Sequence, residues 1–232
     1  MKNFCIITAN WNRPDVLALW CASIKRIRED LDIFIPAVVV SDRWDRDTCD
    51  KYHVHHINHK NNPVSEKFNA GCQYARSLGV DYVMILGSDD IVSTETISRY
   101  MTAMEQEYDV IGTANVYFYG RGVKGVKTLV HLQRDKKMLG VGKTISAKVM
   151  EQVDWRPWKD EKNWALDAIC HKYISPFIGT SHILEETKIF DCKTSTNINK
   201  FSFWYNKIKT TVDLNVFYDI LGEEEKELIK RI

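Results

Sequence analysis

Two adjacent carboxylates, Asp89 and Asp90, end the stretch Ile85-Leu86-Gly87-Ser88-Asp89-Asp90-Ile91. Hard oxygen donors at the tip of a buried strand suit a divalent cation, Mg2+ or Mn2+, which in turn neutralises phosphate. The plainer alternative is an acidic pair before a helix that Ser93 or Thr94 caps. Asn10 and Asp42 close two further apolar runs in the same way. Farther along, Asp167 sits in a helical stretch where it could take a proton from an incoming hydroxyl. Asp160 and Glu161 compete with it for that role, and an aspartate solvated on a helix face is the alternative to all three.

The elements that must position these residues are legible in the first 110 residues. Phe4 to Ala9 is a nearly continuous apolar run, as expected of a strand buried on both faces. Asn12-Arg13-Pro14-Asp15 starts a helix, with Val16, Leu17, Leu19, Trp20, Ser23 and Ile24 at helical spacing. Ala37–Val40, Val54–Ile57 and Tyr82–Leu86 are the next strands. Helices are expected over Ser65–Leu78, with Ser65 as cap, and over Thr94–Glu107. Such alternation implies a mostly parallel, doubly wound sheet, whose ligands bind beyond the carboxyl ends of the strands. A strand-like stretch over Val110–Tyr119 follows, then a helix over about residues 163–173. Asp213 to Ile232 closes with charge pairs at helical spacing, Glu223 with Lys226 and Glu227 with Arg231.

Composition narrows the field. The chain has 232 residues, 44% hydrophobic and 27% charged, which excludes disorder and allows a sizeable core. Six scattered cysteines without a C-x-x-C pair read as buried thiols, not as a disulfide scaffold or zinc ribbon. The longest apolar run, Ile33 to Val40, is too short to span a bilayer and contains Pro36. With no signal-peptide pattern either, a cytoplasmic location is expected.

Net charge is only +1, with 32 Lys and Arg against 31 Asp and Glu, which excludes a uniformly basic binder. The average conceals a split. Residues 121–148 hold eight cations (Arg121, Lys124, Lys127, Arg134, Lys136, Lys137, Lys143, Lys148) against Asp135 alone. Residues 187–209 add Lys188, Lys193, Lys200, Lys207 and Lys209 against Asp191, while the first 110 residues are net acidic. Attraction to a diphosphate or a nucleic-acid backbone is one reading, and solvated hairpins are the other. Two motif matches are set aside. Gly140-Val141-Gly142-Lys143-Thr144 lacks the glycine a phosphate loop needs, since Lys137 stands there. His53, His55, His56 and His59 lack a thiol or carboxylate at ligand spacing and read as a solvent-facing edge.

Four stretches resemble nucleotide-sugar glycosyltransferases of the GT-A fold, in particular the family-2-like group. They are Ile7 to Pro14, Val38 to Asp42, Lys67 to Arg76 and Leu86 to Asp90, which occur in the family's order. Compact chains of this kind resemble small viral or phage-encoded members, and Asp191-Cys192-Lys193-Thr194 with Asn197-Ile198-Asn199 is similar to their tail. The resemblance implies an α/β GT-A (Rossmann-like) fold: a mostly parallel central sheet flanked by helices, with a C-terminal helical tail. The catalytic domain would be 1–185, with a nucleotide-sugar-binding half (1–110) and an acceptor half (111–185), and 186–232 would pack on it as the tail. It further implies donor contacts from Thr8, Asn10, Arg13, Asp42, Lys67, Asn69 and Asp89. Asp90 and His182 would hold Mn2+ or Mg2+, and Asp167 would be the base. Gly87 departs from the family, which often has aspartate there.

Trp155 and Trp158, in a loop, are acceptor candidates, with core burial as the alternative. The expected reaction moves a sugar from a nucleoside-diphosphate donor to a glycan or a hydroxymethylated DNA base, with inversion. In a viral setting the location would be the host cytoplasm. A sugar-phosphate nucleotidyltransferase is one rival, although Ala9 to Pro14 lacks that class's glycine-rich loop. A non-catalytic nucleic-acid-binding module is the other.

Overall fold

The computed structural model describes residues 1–232 except 123, 124, 160, 195, 196, 198, 199 and 209. Lys124, Asp160, Ile198, Asn199 and Lys209, named above, therefore lie outside the described residues. A seven-stranded sheet forms the centre. In spatial order its strands are β10 (Ser181–Leu184), β6 (Val110–Thr113), β9 (Lys143–Ser146), β4 (Tyr82–Ile85), β1 (Phe4–Ala9), β2 (Ala37–Ser41) and β3 (His55–Asn58). All run parallel except β9, which is antiparallel to both its neighbours.

Alternation along the central strands builds two cores. Phe4, Ile6, Val39 and Met84 face one side, against α1 (Pro14–Leu31) and α4 (Thr94–Met104). Cys5, Ile7, Val38, Val40 and Val83 face the other, against α3 (Val64–Ser77), α5 (Ala147–Glu151) and α6 (Leu166–Ile174). Strands covered on both faces read as unbroken apolar runs, which is why β1 and β2 are legible in the sequence. All six cysteines are free and buried.

Several boundaries differ from expectation. Ser65 lies inside α3, and its hydroxyl accepts from the Lys162 backbone N–H at 3.1 Å. The stretch Val110–Tyr119 breaks at Ala114 into β6 and β7 (Asn115–Arg121). There the Thr113 hydroxyl accepts the Asn115 N–H at 3.1 Å, and the chain passes to a second sheet. That sheet runs β12 (Thr211–Val212), β8 (Lys127–Gln133), β7, β11 (Ile189–Cys192), β5 (Asp90–Val92).

The region after residue 186 therefore supplies strands as well as helices. Its helices are α7 (Phe201–Lys207), α8 (Asn215–Tyr218) and α9 (Glu223–Ile229), while α2 (Arg46–Lys51) packs against α1 and β3. Glu223 pairs with Lys226 at 2.8 Å, but Glu227 pairs with Lys230, three residues on, and not with Arg231. α9 docks on α1 through Arg26, whose Nε donates to Glu225 at 2.7 Å. No helix among the described residues is long and apolar enough to cross a membrane.

Candidate active site at the strand tips

Parallel neighbours β1, β2 and β4 deliver Asn10, Asp42 and the 87–90 turn to one edge. Asn10 is fully buried. Its amide donates to Asp45 Oδ2 at 2.7 Å, and its backbone carbonyl accepts from Lys67 Nζ. Lys67 rises from α3 and also reaches Asn61 Oδ1 at 3.4 Å. Burial pushes its ammonium down to about 8, against the opposing pull of Asp45 and Asp42. Asp42 caps the short turn after β2, accepting the Trp44 N–H at 3.0 Å, and leaves the Trp44 ring 75% exposed. Thr8, buried behind Asn10, has a hydroxyl without a hydrogen-bond partner among the described residues.

The carboxylates form a compensated cluster. Arg13 donates to Ser88 Oγ at 2.5 Å, and its Nη1 lies 3.3 Å from Asp89 Oδ2. Asn197 also donates to Asp89, and Lys193 Nζ stands 3.7 Å away. Burial alone would raise the Asp89 carboxyl, but Arg13, Lys193 and Asn197 outweigh it and hold it below the ordinary range. Asp90 opens β5, which pairs antiparallel with β11 so that Asp90 faces Asp191 directly. Like charges opposite each other across strands repel. Burial and then the Asp89 charge push Asp90 up to about 7. Lys193 Nζ binds Asp191 Oδ2 at 2.5 Å, while Asp191 Oδ1 is buried without a hydrogen-bond partner among the described residues.

Gly87 explains the departure from the family pattern. Its N–H donates to Asp90 Oδ2 at 2.5 Å. A Cβ there would lie 2.8 Å from Asp89 Oδ1 and 2.9 Å from Asp90 Oδ2. The turn folds both carboxylates back over the glycine, so a side chain there would have to displace them.

Two adjoining clefts lie at this edge, and a third, which shares no lining residue with them, holds Asp167. One of about 420 Å³ lies over the tips, walled by Trp11, Arg13, Lys67, Asp89, Asn163 and Lys193. A second, about 500 Å³, shares Arg13 and Lys193 with it and adds Arg121, Lys200 and Arg231. A third, about 570 Å³, contains Asp167, Lys143, Arg134, Lys136 and Lys137. Asp167 lies in the first turn of α6 and accepts from Lys143 Nζ. Lys143 is buried and Asp167 is half exposed, so the carboxylate is oriented by a fixed cation yet open to solvent.

Four expected ligand contacts are placed elsewhere. Trp155 and Trp158 are each 2% exposed and pack in the core. Asn69 is fully buried and clamps the Trp158 backbone, donating to its carbonyl at 2.8 Å and accepting its N–H at 3.2 Å. The Trp158 indole donates to Leu166 O at 2.9 Å. These residues brace the loop that leads to Asp167. His182 is on edge strand β10, stacked on Tyr108 with centroids 4.8 Å apart. The carboxylate group with metal-ligand spacing among the described residues is Asp89, Asp90 and Asp191, within 4.8 Å of one another. Asp191 belongs to this group, and His182, expected beside Asp90, does not. Asp191, Lys193 and Asn197 are absent from the expected site although their segment carries a recognisable motif. Their partners lie about a hundred residues earlier, and a single sequence displays no strand pairing.

No curated protein sequence gives a significant match to the chain. Among solved structures, the bifunctional IspDF from Campylobacter jejuni superposes with a TM-score of 0.50 at 15% identity. That match covers 87% of this chain, which spans 52% of the IspDF length. The 4-diphosphocytidyl-2C-methyl-D-erythritol synthase from Anaerococcus prevotii gives 0.51 at 11% identity, covering 89% of this chain and 99% of that one. At these identities the likeness is one of fold. The sequence profile of the family described as Glycosyl transferase family 2 matches residues 5–170, which span β1, the Asp89-Asp90 turn and Asp167. A match over well more than half of the chain, on the segments that build the strand-tip cleft, makes this protein a member of glycosyl transferase family 2.

Proposed function

We propose that the chain transfers a sugar from a nucleoside-diphosphate donor, held in the strand-tip cleft, to an acceptor hydroxyl with inversion. The observation that carries this reading is the meeting of Asp89, Asp90 and Asp191 with Arg13, Lys67 and Lys193 at one strand edge. The residues fit a divalent cation. Asp90 and Asp191 are hard oxygen donors in direct register, and Asp191 Oδ1 is a buried acceptor without a hydrogen-bond partner among the described residues. Mn2+ or Mg2+ held there would stabilise the negative charge that develops on the departing diphosphate.

The chain's own groups do the rest. Lys67 and Arg13 bind the donor's phosphates, and Asn10 and Asp42 border the nucleoside from the tips of β1 and β2. Thr8 supports Asn10 from behind. Asp167, oriented by Lys143, accepts the acceptor's proton as its oxygen attacks the anomeric carbon, and the sugar–phosphate bond breaks on the opposite face. The acceptor is a glycan or a hydroxymethylated base. The nucleotidyltransferase reading is weaker, because the β1–α1 turn carries Arg13 bound to Asp89 in place of a glycine-rich loop.

Screening nucleotide sugars for Mn2+-dependent protection against melting tests the donor. A shift of several degrees for one nucleotide class is expected, followed by nucleoside-diphosphate release on adding acceptor. Asp90→Ala abolishes both, and Asp167→Asn abolishes release while sparing the shift. Full turnover in Asp90→Ala would sink the metal assignment.

A further inference from the structure

Two clefts other than the donor cleft gather cations that no carboxylate among the described residues engages. Arg121 ends β7, Lys200 precedes α7 and Arg231 follows α9, yet all three converge on the 500 Å³ cleft that shares Arg13 and Lys193 with the donor cleft. In a separate cleft, the one that holds Asp167, Arg134, Lys136 and Lys137 line the wall. All six are exposed, and none forms an ion pair with another described residue. Cations that merely solubilise a surface gain nothing from gathering in concave sites. In the proposed donor site Arg13 and Lys67 meet the two phosphates, so these six are surplus to the donor.

Two exposed aromatic rings belong to the donor cleft or adjoin it in sequence. Trp11, 48% exposed, walls the donor cleft, and Trp164, 69% exposed, follows Asn163 of that cleft on the way to Asp167. Apolar rings this exposed cost solubility, and bases stack on them. Cations along a groove with aromatic platforms between them suit single-stranded nucleic acid, whose phosphates follow the groove while its bases stack. A duplex would need a broader convex-fitting surface, and its bases are already stacked.

We infer that the two cationic clefts form a track for a single-stranded nucleic acid, which presents its acceptor hydroxyl to Asp167 as it crosses the donor cleft. This rests on the proposed donor site and names its acceptor class. The reaction balances as written above: the strand's hydroxyl oxygen gains the sugar, its proton goes to Asp167, and the nucleoside diphosphate leaves.

The test is fluorescence anisotropy with a labelled 20-mer of single-stranded DNA, titrated with the full chain from 50 to 300 mM KCl. Six phosphate contacts predict a slope of log affinity against log salt of about −4. Arg121→Gln/Lys200→Gln/Arg231→Gln and Arg134→Gln/Lys136→Gln/Lys137→Gln should each weaken binding at least tenfold and reduce the slope by about 2. Trp164→Ala should weaken binding with the slope unchanged. Since the six side chains are exposed, both triple variants should keep the wild-type melting temperature.

Absence of binding at 50 mM KCl, or equal affinity in the triple variants, overturns the track. A sulfated oligosaccharide of equal charge that binds tighter than the 20-mer overturns it in favour of an anionic glycan. A duplex that binds tighter than the single strand overturns the strandedness. Melting shifts with nucleotide sugars, measured on the same samples, report the donor site separately. Their loss alone refutes the donor reading and leaves the track standing.

Discussion

Asp90 and Lys67 titrate near neutrality for opposite reasons, and each sets a pH dependence. Burial and the Asp89 charge raise Asp90 to about 7, so a proton competes with the cation below that pH. Mn2+ affinity measured by calorimetry should fall as pH drops below about 7, by up to tenfold per unit, and level off above it. A flat profile from pH 5.5 to 8 would show that Asp90 is not a ligand. Lys67 is lowered to about 8 by burial, so the free protein loses this cation as pH rises past that value. Donor phosphates favour the charged form, and donor KM should therefore climb between pH 8 and 9.5. In Lys67→Met that climb should vanish. For folding the sign reverses: between pH 8 and 10.5 the unfolded chain holds more protons on this lysine, so stability rises with pH across that window. At this scale the sequence was most informative where chemistry and local order coincide, as at Asn10, Arg13 and Asp89-Asp90. It misled where a residue type fits two environments. Trp155, Trp158 and Asn69 have the look of ligand contacts, and burial turns them into braces.

The elements that carry Asp167 can be tested by packing. Gly140 lies against this side chain, and a Cβ there would come 2.7 Å from its Cγ and 2.8 Å from its Cβ. Gly140→Ala must displace the carboxylate from Lys143. Misplacement by about 1 Å costs about 10²-fold, so kcat should fall by that order while donor KM is unchanged. Asn69→Ala removes both hydrogen bonds to the Trp158 backbone and leaves buried groups unpaired. It should cost about 2–3 kcal/mol in urea denaturation and lower kcat through the loosened loop. An unchanged kcat in Gly140→Ala would place the base elsewhere. Strands β1, β2 and β4 and helices α1, α3 and α4 were legible because their periodicity is local. Strands β5, β8, β11 and β12 were not, because they are short and their partners are distant in sequence. The small sheet declares itself only through pairing, and it holds Asp90 and Asp191 in register.

Across the whole molecule, α9 ties the end of the described chain to its beginning. Arg26 reaches Glu225 at 2.7 Å, Thr94 at 2.7 Å and the Val92 carbonyl at 3.0 Å, joining α1, α9 and the β5–α4 junction. Glu225 is almost wholly buried, so Arg26→Met strands its charge. Breaking a buried pair in this way costs about 3–5 kcal/mol, measurable as a lower urea midpoint. Arg26→Met with Glu225→Met should recover much of that loss. Recovery failing entirely would assign the cost to Thr94 and Val92 instead.

The pairing of β5 with β11 also sets an order in time. Asp89 and Asp90 leave the ribosome a hundred residues before Asp191, Lys193 and Asn197. Until β11 docks, the two carboxylates lack Lys193 and Asn197, and Asp90 lacks its opposite number. All seven strands of the large sheet, β10 included, precede β11 in the chain. The nascent chain therefore passes through a stage with the strands of its large sheet all made and the carboxylate cluster still open, and β11 with the residues just after it completes that cluster.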